Sequence, residues 1–214
     1  MKYALIAILA GSSAFAQAPA PATVTPPSVS RALVDTAIVR GLYVNRFAAQ
    51  STKRMHQLIA MADASEINAL VIDIKDEFGL NYSPTDPSVA KNAGKSGVIP
   101  NLKQLLDTLR AHKILAIARI VVFKDSVTAR VHPEWTIRKQ DGTAWHDKKG
   151  LTWVNPYHKE LWDYNIHVAE DAVRLGFGEV QFDYIRFPEP YKSLPPQVFP
   201  DNKGEAKPAA LASF

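Results

Sequence analysis

The 214-residue sequence contains no cysteine, which excludes disulfide bonds, Cys-ligated zinc, a thiol nucleophile and a lipid-modified N-terminal Cys. It also lacks a concentrated basic face. The formal net charge is +4, from 25 Lys and Arg against 21 Asp and Glu, and no run of five or six basic residues occurs. Because nucleic-acid-binding proteins need such a face, we expect no nucleic-acid partner.

Several catalytic motifs are missing as well. No Gly-x-Ser-x-Gly elbow occurs, which argues against an α/β-hydrolase. The triplet Gly94-Lys95-Ser96 is not a Walker A loop, because Val89 stands where that motif needs its first glycine. No Gly-x-Gly-x-x-Gly follows the first predicted strand, and the six histidines form no His-x-His pair. We therefore expect no cofactor, and the sequence offers no support for a metal site.

The N-terminus has the three parts of an export signal. Lys2 is followed by an apolar run over residues 4–10, and then by the small-x-small site Ala14-Phe15-Ala16. The apolar run is too short to span a bilayer comfortably. We expect a signal peptide over residues 1–16, cleaved after Ala16, then a Pro/Ala-rich linker over residues 17–30. The product would be secreted or periplasmic, without stable membrane insertion; an uncleaved anchor is the alternative.

Strand and helix patterns alternate after the linker. Apolar segments predict four strands, at residues 38–44, 69–74, 114–122 and 178–183. Helical spacing of apolar residues predicts helices between them: one opening at Ser51 or Thr52, one capped by Asn101, and one that opens at Asn155-Pro156 and stops at Gly176. Residues 191–214 read as a loop and the start of a helix that is cut off.

This order predicts an α/β fold with a parallel sheet, of the (β/α)8 TIM-barrel type but incomplete, with about four β/α units over residues 31–190. A complete barrel typically needs about 250 residues. We therefore expect a piece of a longer protein, while a four-stranded open α/β sheet and a product that never folds stably remain alternatives. The long segment 126–155 is expected to be functional, because loops of this length inside a compact domain usually are.

Charged residues stand where the predicted strands end, and the strand ends of a parallel barrel converge on one face. These residues form three pairs, Asp73 and Lys75, Arg119 and Asp125, and Asp183 and Arg186, which we expect to meet on that face. Asp183 follows a buried strand directly, so it is a candidate catalytic carboxylate; pairing with Arg186 is the structural alternative. We assign the remaining binding roles to strand ends and the long loop, with these substrate-binding candidates: Asp73, Lys75, Arg119, Arg186, Trp145, Trp153 and Asn155. Trp162, inside a helix pattern, is expected in the core.

Several motifs in a fixed order carry a resemblance to a known family. They are Arg40-Gly41-Leu42-Tyr43-Val44, Val71-Ile72-Asp73-Ile74-Lys75-Asp76-Glu77-Phe78-Gly79, Ala118-Arg119-Ile120-Val121-Val122-Phe123-Lys124-Asp125, His132-Pro133-Glu134-Trp135, Trp153-Val154-Asn155-Pro156 and Gln181-Phe182-Asp183-Tyr184-Ile185-Arg186-Phe187-Pro188. The chain resembles the putative glycosyl hydrolase domain of secreted bacterial proteins, which has an amylase-like (β/α)8 barrel.

The resemblance implies a carbohydrate substrate and a retaining mechanism with Asp183 as the nucleophile at the end of the fourth strand. Arg186 and Lys75 would lower the pKa of Asp183, and Asp73 and Arg119 would bind sugar hydroxyls. The acid/base residue is expected after a fifth strand, beyond residue 214, so the chain alone would be inactive. The alternative is a non-catalytic carbohydrate-binding or cell-envelope protein that depends on Trp145 or Trp153.

Overall fold

A computed structural model describes residues 38–214, in which strands and helices alternate along the chain. The strands are β1 (Gly41–Val44), β2 (Ala69–Asp76), β3 (Gly79–Leu80), β4 (Leu115–Val121) and β5 (Glu179–Asp183). The helices are α1 (Arg46–Gln50), α2 (Thr52–Asp63), α3 (Pro87–Ala90), α4 (Leu102–Ala111), α5 (Ser126–Val131), α6 (Lys159–Leu175) and α7 (Lys207–Ser213). A 3-10 turn covers Pro133–Trp135. The predicted signal peptide and linker lie outside the described residues.

The four main strands form one parallel sheet in the order β1-β2-β4-β5. The register pairs Gly41 with Ala69, Ala69 with Leu115, and Ile117 with Glu179. The short strand β3 pairs antiparallel with the end of β2 and was not predicted. Helices connect the parallel strands, as right-handed crossovers require. The α/β class and the parallel sheet of an incomplete barrel are confirmed.

The main core lies between the sheet and the helices. Helix α2 buries Met55, Leu58, Ile59 and Ala62, the four residues whose helical spacing predicted it. Strand β2 contributes Leu70, Ile72 and Ile74 to the same core, each with no exposed surface. The other face of the sheet carries a small separate cluster formed by Ala69, Leu115 and Ile117. The two faces therefore differ, and the second one is the face that would line a barrel.

Helix boundaries agree with the predicted caps at one end of α6 and differ at two other points. Gly176 ends α6 with a φ of 112°, in the left-handed region that glycine favours. The start of α6 is Lys159 rather than Pro156, because the Asn155 side chain holds the preceding turn by accepting a hydrogen bond from Tyr157 N. Asn101 precedes α4, but its side chain makes no capping hydrogen bond there.

The C-terminal segment packs against the domain. The ring of Phe214, directly after α7, meets the rings of Phe123, Trp162 and Phe182 edge-on, with centroids 5.4–5.6 Å apart. Ala210 of α7 is fully buried. Trp162 is therefore a core residue, as predicted, and residues 191–214 add packing to the core as well as a loop and a helix.

Candidate active site

Four polar side chains share the inner face of the sheet because of the period of two along a strand. Asp73 comes two residues after Val71 on β2, and Arg119 two residues after Ile117 on β4. The register places Asp73 beside Arg119. Tyr43 near the end of β1 and Asp183 at the end of β5 complete the set. The carboxyl ends of four parallel strands thus bring together Tyr43, Asp73, Arg119 and Asp183, here called the Arg119 cluster.

Arg119 stands at the centre of this cluster and bridges two carboxylates. Its Nε and Nη2 donate to Asp183 Oδ2 at 2.8 and 2.5 Å, and its Nη1 donates to Asp73 Oδ1 at 2.5 Å. The Tyr43 hydroxyl donates to the second oxygen of Asp73 at 2.6 Å. The planar guanidinium suits this task because its donors point in fixed directions. Both acids are thereby held in defined orientations.

Of the two acids in the Arg119 cluster, Asp183 is the one whose side chain is open to solvent. Its side chain is 43% exposed, whereas that of Asp73 is 4% exposed. The backbone N–H of Tyr184 donates to Asp183 Oδ1 at 2.6 Å. Together with the two bonds from Arg119, this bond fixes the orientation of the carboxylate. An oriented, accessible carboxylate at a strand end can act as a nucleophile or a base.

The protonation states within the cluster follow from burial and pairing. Burial raises the pKa of Asp73 above its usual range, although the hydrogen bonds from Tyr43 and Arg119 work in the opposite direction. Burial alone would lower the pKa of Arg119, but its hydrogen bonds to Asp73 and Asp183 outweigh this and raise it. Burial and the bond to Asp73 raise the pKa of Tyr43. Arg119 therefore stays cationic and Tyr43 stays a donor.

Lys75, predicted to act on Asp183, lies on the other side of the sheet. Its ammonium group has no exposed surface and pairs with Asp125 Oδ2 at 2.8 Å, while also donating to Val121 O at 2.5 Å. The register between β2 and β4 shifts between Asp73 and Lys75. Such an irregularity turns the following side chain to the opposite face. The cation beside Asp183 is Arg119, and the expected effect of Lys75 on Asp183 is wrong.

Arg186 also lies away from Asp183. Its nearest carboxylate is Glu189, at 3.5 Å, and its guanidinium carbon is 5.2 Å from the centroid of Trp153. Arg186 is exposed beside the strand end, so it remains available to a ligand. Neither the proposed structural pair between Asp183 and Arg186 nor a direct effect of Arg186 on that carboxylate is present.

Two predicted binding residues are interior and do not join the cluster. Trp145 has no exposed surface, and its Nε1 donates to Pro195 O at 2.9 Å, so it cannot offer a stacking face to a sugar. Asn155 is likewise fully buried and donates to Asp201 Oδ2 at 2.9 Å. Trp145 was expected to be a stacking platform because it belongs to the long loop, and Asn155, at the end of that loop, was expected to bind substrate. That loop instead folds back onto residues near 198 through the bridge between Arg138 and Val198.

Trp153 is buried but borders the site. Its exposed fraction is 2%, its Nε1 donates to Asp147 Oδ2 at 3.0 Å, and its ring lies 5.8 Å from that of Tyr184. Tyr43 and Tyr184 are site residues that the sequence analysis missed. Tyr43 could have been found, since it lies two residues after Gly41 on the same strand and therefore on the same face of the sheet. The position of Tyr184, in contrast, depends on a turn with a φ of 56°.

Among residues 38–214, no group of three or more His, Asp or Glu side chains is arranged to hold a metal ion. Within the same range, no helix combines the length and apolar character needed to cross a membrane.

A parallel sheet with carboxylates at its strand ends, joined by an arginine, defines a partial barrel of the class used by many glycosidases. The profile of the family described as "Putative glycosyl hydrolase domain" matches residues 41–214. The chain therefore belongs to this family, which confirms the resemblance inferred from the motifs. No curated protein matches the chain in sequence.

Solved structures with the same fold include a family-level relative and more distant glycosidases. A hypothetical protein from Ruminiclostridium thermocellum ATCC 27405 is 36% identical with a TM-score of 0.72, over 80% of this chain and 87% of that one. The chitobiase of Flavobacterium johnsoniae is 14% identical with a TM-score of 0.52, over 67% of this chain and 23% of that one. The second likeness shows the fold alone, and the chain spans less than a quarter of that enzyme.

Proposed function

We propose that this chain carries the nucleophile side of a retaining glycoside hydrolase site, with Asp183 as the nucleophile. The proposal rests on the solvent exposure and the hydrogen bonding of that carboxylate. It is accessible, and both of its oxygens accept hydrogen bonds, from Arg119 and from the backbone of Tyr184. Family membership supports a carbohydrate substrate.

In this mechanism Asp183 attacks the anomeric carbon, the bond to the leaving oxygen breaks, and a covalent glycosyl ester forms. Arg119 orients the attacking carboxylate, while Asp73 and Tyr43 hold Arg119 in place. Water then cleaves the ester and restores Asp183. The proton donor in this proposal is a Glu or Asp that follows a further strand of a longer polypeptide, as the family resemblance implies.

An aryl glycoside with a dinitrophenyl leaving group tests the nucleophile independently of that proton donor. Such a group leaves as a stable anion, so its departure needs no general acid. We expect release of dinitrophenol from one configuration in a panel of such glycosides. Asp183→Ala should slow the release by roughly 10³-fold or more.

Azide supplies the matched control. A small anion can enter the space left by Asp183→Ala and attack the same carbon, so added azide should restore dinitrophenol release and give a glycosyl azide of inverted configuration. Retention of full activity by Asp183→Ala would overturn the proposal. So would the absence of any rescue in a variant that keeps its fold by circular dichroism.

The proposed function also includes export of the chain from the cytoplasm. We infer that residues 1–16 direct the chain to a secreted or periplasmic location, with cleavage after Ala16. N-terminal sequencing of the exported protein should begin at Gln17, and an intact Met1 would contradict this.

The tryptophans on which the alternative of a non-catalytic carbohydrate-binding protein depends do not support it. It depends on Trp145 or Trp153 as a stacking platform, and both side chains are buried.

A further inference from the structure

An open cleft of about 260 Å³ lies beside the C-terminal end of β5. Its lining includes four cationic side chains, from Lys124, Lys148, Lys149 and Arg186, against the two carboxylates of Asp147 and Glu189. Two of these cations have carboxylate partners, since Lys124 pairs with Glu77 at 3.2 Å and Arg186 with Glu189 at 3.5 Å. With Glu77 counted, four cations face three carboxylates, and Lys148 and Lys149 are the cations without such a pair in the cleft. A cleft with this balance attracts anions.

The Asp147 carboxylate is occupied by its own loop. One oxygen accepts hydrogen bonds from the backbone of Lys149 and Leu151, at 2.8 and 3.0 Å, and the other accepts one from Trp153 Nε1 at 3.0 Å. These bonds fix the turn that carries Lys148 and Lys149. Asp147 therefore shapes the cleft rather than neutralising its cations by a direct ion pair.

Aromatic rings hold the cations at the cleft. The Lys148 ammonium lies 3.4 Å from the ring centroid of Tyr191, and the Lys124 ammonium lies 5.0 Å from that of Tyr184. The Arg186 guanidinium carbon is within 5.3 Å of the centroids of both Tyr184 and Trp153. Cation–π contacts restrain long side chains that would otherwise be mobile. The Tyr191 ring, which is exposed, can also pack against the apolar face of a sugar.

Tyr184 links the cleft to the proposed nucleophile. Its N–H donates to Asp183 Oδ1, and its side chain forms part of the cleft wall. The φ of Tyr184 is 56°, in the left-handed region that is unfavourable for a residue with a side chain. Tyr184 therefore contacts the Asp183 carboxylate through its backbone and borders the cleft through its side chain, although Asp183 itself does not line the cleft.

We propose that this cleft binds a sugar unit bearing a negative charge, as a carboxylate or a sulfate group, adjacent to the bond cleaved at Asp183. The inference rests on the proposed function and adds the class of substrate. Arg186 and Lys148 contact the anionic group, while Tyr184 and Tyr191 border the ring. Neutral sugars need hydrogen-bonding partners but not an excess of fixed cations.

A glycan array of matched pairs tests this with the full chain. Each pair joins a uronate-containing oligosaccharide with its carboxyl-reduced form, or a sulfated galactan oligosaccharide with its desulfated form. We expect binding to the charged member and at least about tenfold weaker binding to the neutral member at low salt. The two kinds of pair distinguish a carboxylate from a sulfate. Equal binding within the pairs, or binding to none of them, would overturn the inference.

Calorimetric titration of the best charged oligosaccharide then locates the site. The double variant Arg186→Gln/Lys148→Gln should bind about tenfold more weakly, since each exposed charge contributes modestly. The control Lys91→Gln/Lys95→Gln also removes two positive charges, but from a different surface cleft, and should change the affinity less than about twofold. An effect of Arg186→Gln/Lys148→Gln no larger than that of the control would contradict the assignment.

The two proposals fail in different ways. Asp183→Asn should abolish dinitrophenol release but keep the preference for charged glycans. A preference for charged glycans without Asp183-dependent chemistry would overturn the proposed function alone. Asp183-dependent hydrolysis of neutral and charged substrates with equal efficiency would overturn the charged-sugar inference alone.

Discussion

Strand β2 carries charged residues that belong to two different clusters, one buried and one open to solvent. Asp73 enters the Arg119 cluster on the inner face, while Lys75 enters a buried pair with Asp125 on the helical side. The side chains of Lys75 and Asp125 are 0% and 1% exposed, whereas that of Asp183 is 43% exposed. The buried pair has its partners inside the protein, so its role is structural; the open cluster keeps one carboxylate accessible, as a catalytic site requires.

Asp125 makes three hydrogen bonds inside the protein in addition to its ion pair with Lys75. Its carboxylate accepts the backbone N–H groups of Val127 and Thr128 at the start of α5, at 3.1 and 2.8 Å, and the Thr128 hydroxyl at 2.7 Å. It therefore caps a helix and neutralises a buried lysine at once. No comparable set of internal partners fixes Asp183 from every side.

The largest effect on stability is expected from Asp125→Ala. This change leaves the Lys75 charge buried without its partner, so the free energy of unfolding should fall by about 3–5 kcal/mol. Asp183→Ala should lower it by less than about 1 kcal/mol, because ion pairs with an exposed partner contribute little. Urea unfolding followed by tryptophan fluorescence measures both. Equal losses would remove the distinction between the two clusters.

The double variant Lys75→Met/Asp125→Asn sharpens the same comparison. Both charges disappear, and Asn remains a good helix N-cap. The variant should be more stable than Asp125→Ala, because no unpaired charge stays in the core. If it were less stable, the loss in Asp125→Ala could not be attributed to a stranded lysine.

A smaller effect, on activity, is expected from Arg119→Lys. A lysine keeps the positive charge but cannot present the fork that bridges Asp73 and Asp183. We expect kcat/KM for dinitrophenyl glycosides to fall roughly 10- to 100-fold, which corresponds to a misoriented nucleophile. Arg110→Lys, an exchange of the same type on the exposed side of α4, should leave kcat/KM unchanged. A similar fall in both variants would count against a specific role for Arg119.

The smallest effect is expected from Tyr43→Phe. Because the Tyr43 hydroxyl lowers the pKa of Asp73, its removal should raise that pKa further, as NMR titration of the Asp73 carboxyl carbon would report. A raised pKa in the folded state means that stability from this group is present at acidic pH and is lost as the pH rises through the folded value. Tyr43→Phe should thus cost about 1 kcal/mol at neutral pH and less under acid conditions.

Tyr191→Phe provides the control, since it removes a tyrosine hydroxyl that lies in the charged cleft and not beside Asp73. The pKa of Asp73 should not change in this variant. An unchanged pKa in Tyr43→Phe would show that the hydroxyl does not stabilise the Asp73 carboxylate.

Apolar runs and alternation were sufficient to predict the four parallel strands and the meeting of Asp73, Arg119 and Asp183. The separation of Lys75 from Asp73 was not predictable, because it depends on a register shift between β2 and β4 that neither strand encodes alone. Trp145 and Asn155 were misplaced for a related reason. Their loop looks exposed in sequence, but it is covered by residues about 50 positions later.

The most direct test of the central claim is covalent capture of the nucleophile. After incubation with 2-deoxy-2-fluoroglycosyl fluorides of several configurations, the chain should gain the mass of one fluoroglycosyl unit. The 2-fluorine slows both formation and hydrolysis of the ester, while the fluoride leaving group keeps formation fast enough for the ester to accumulate. Peptide mass spectrometry should locate that unit on Asp183. A label on another carboxylate, or a labelled Asp183→Asn variant, would contradict the assignment of Asp183 as the nucleophile.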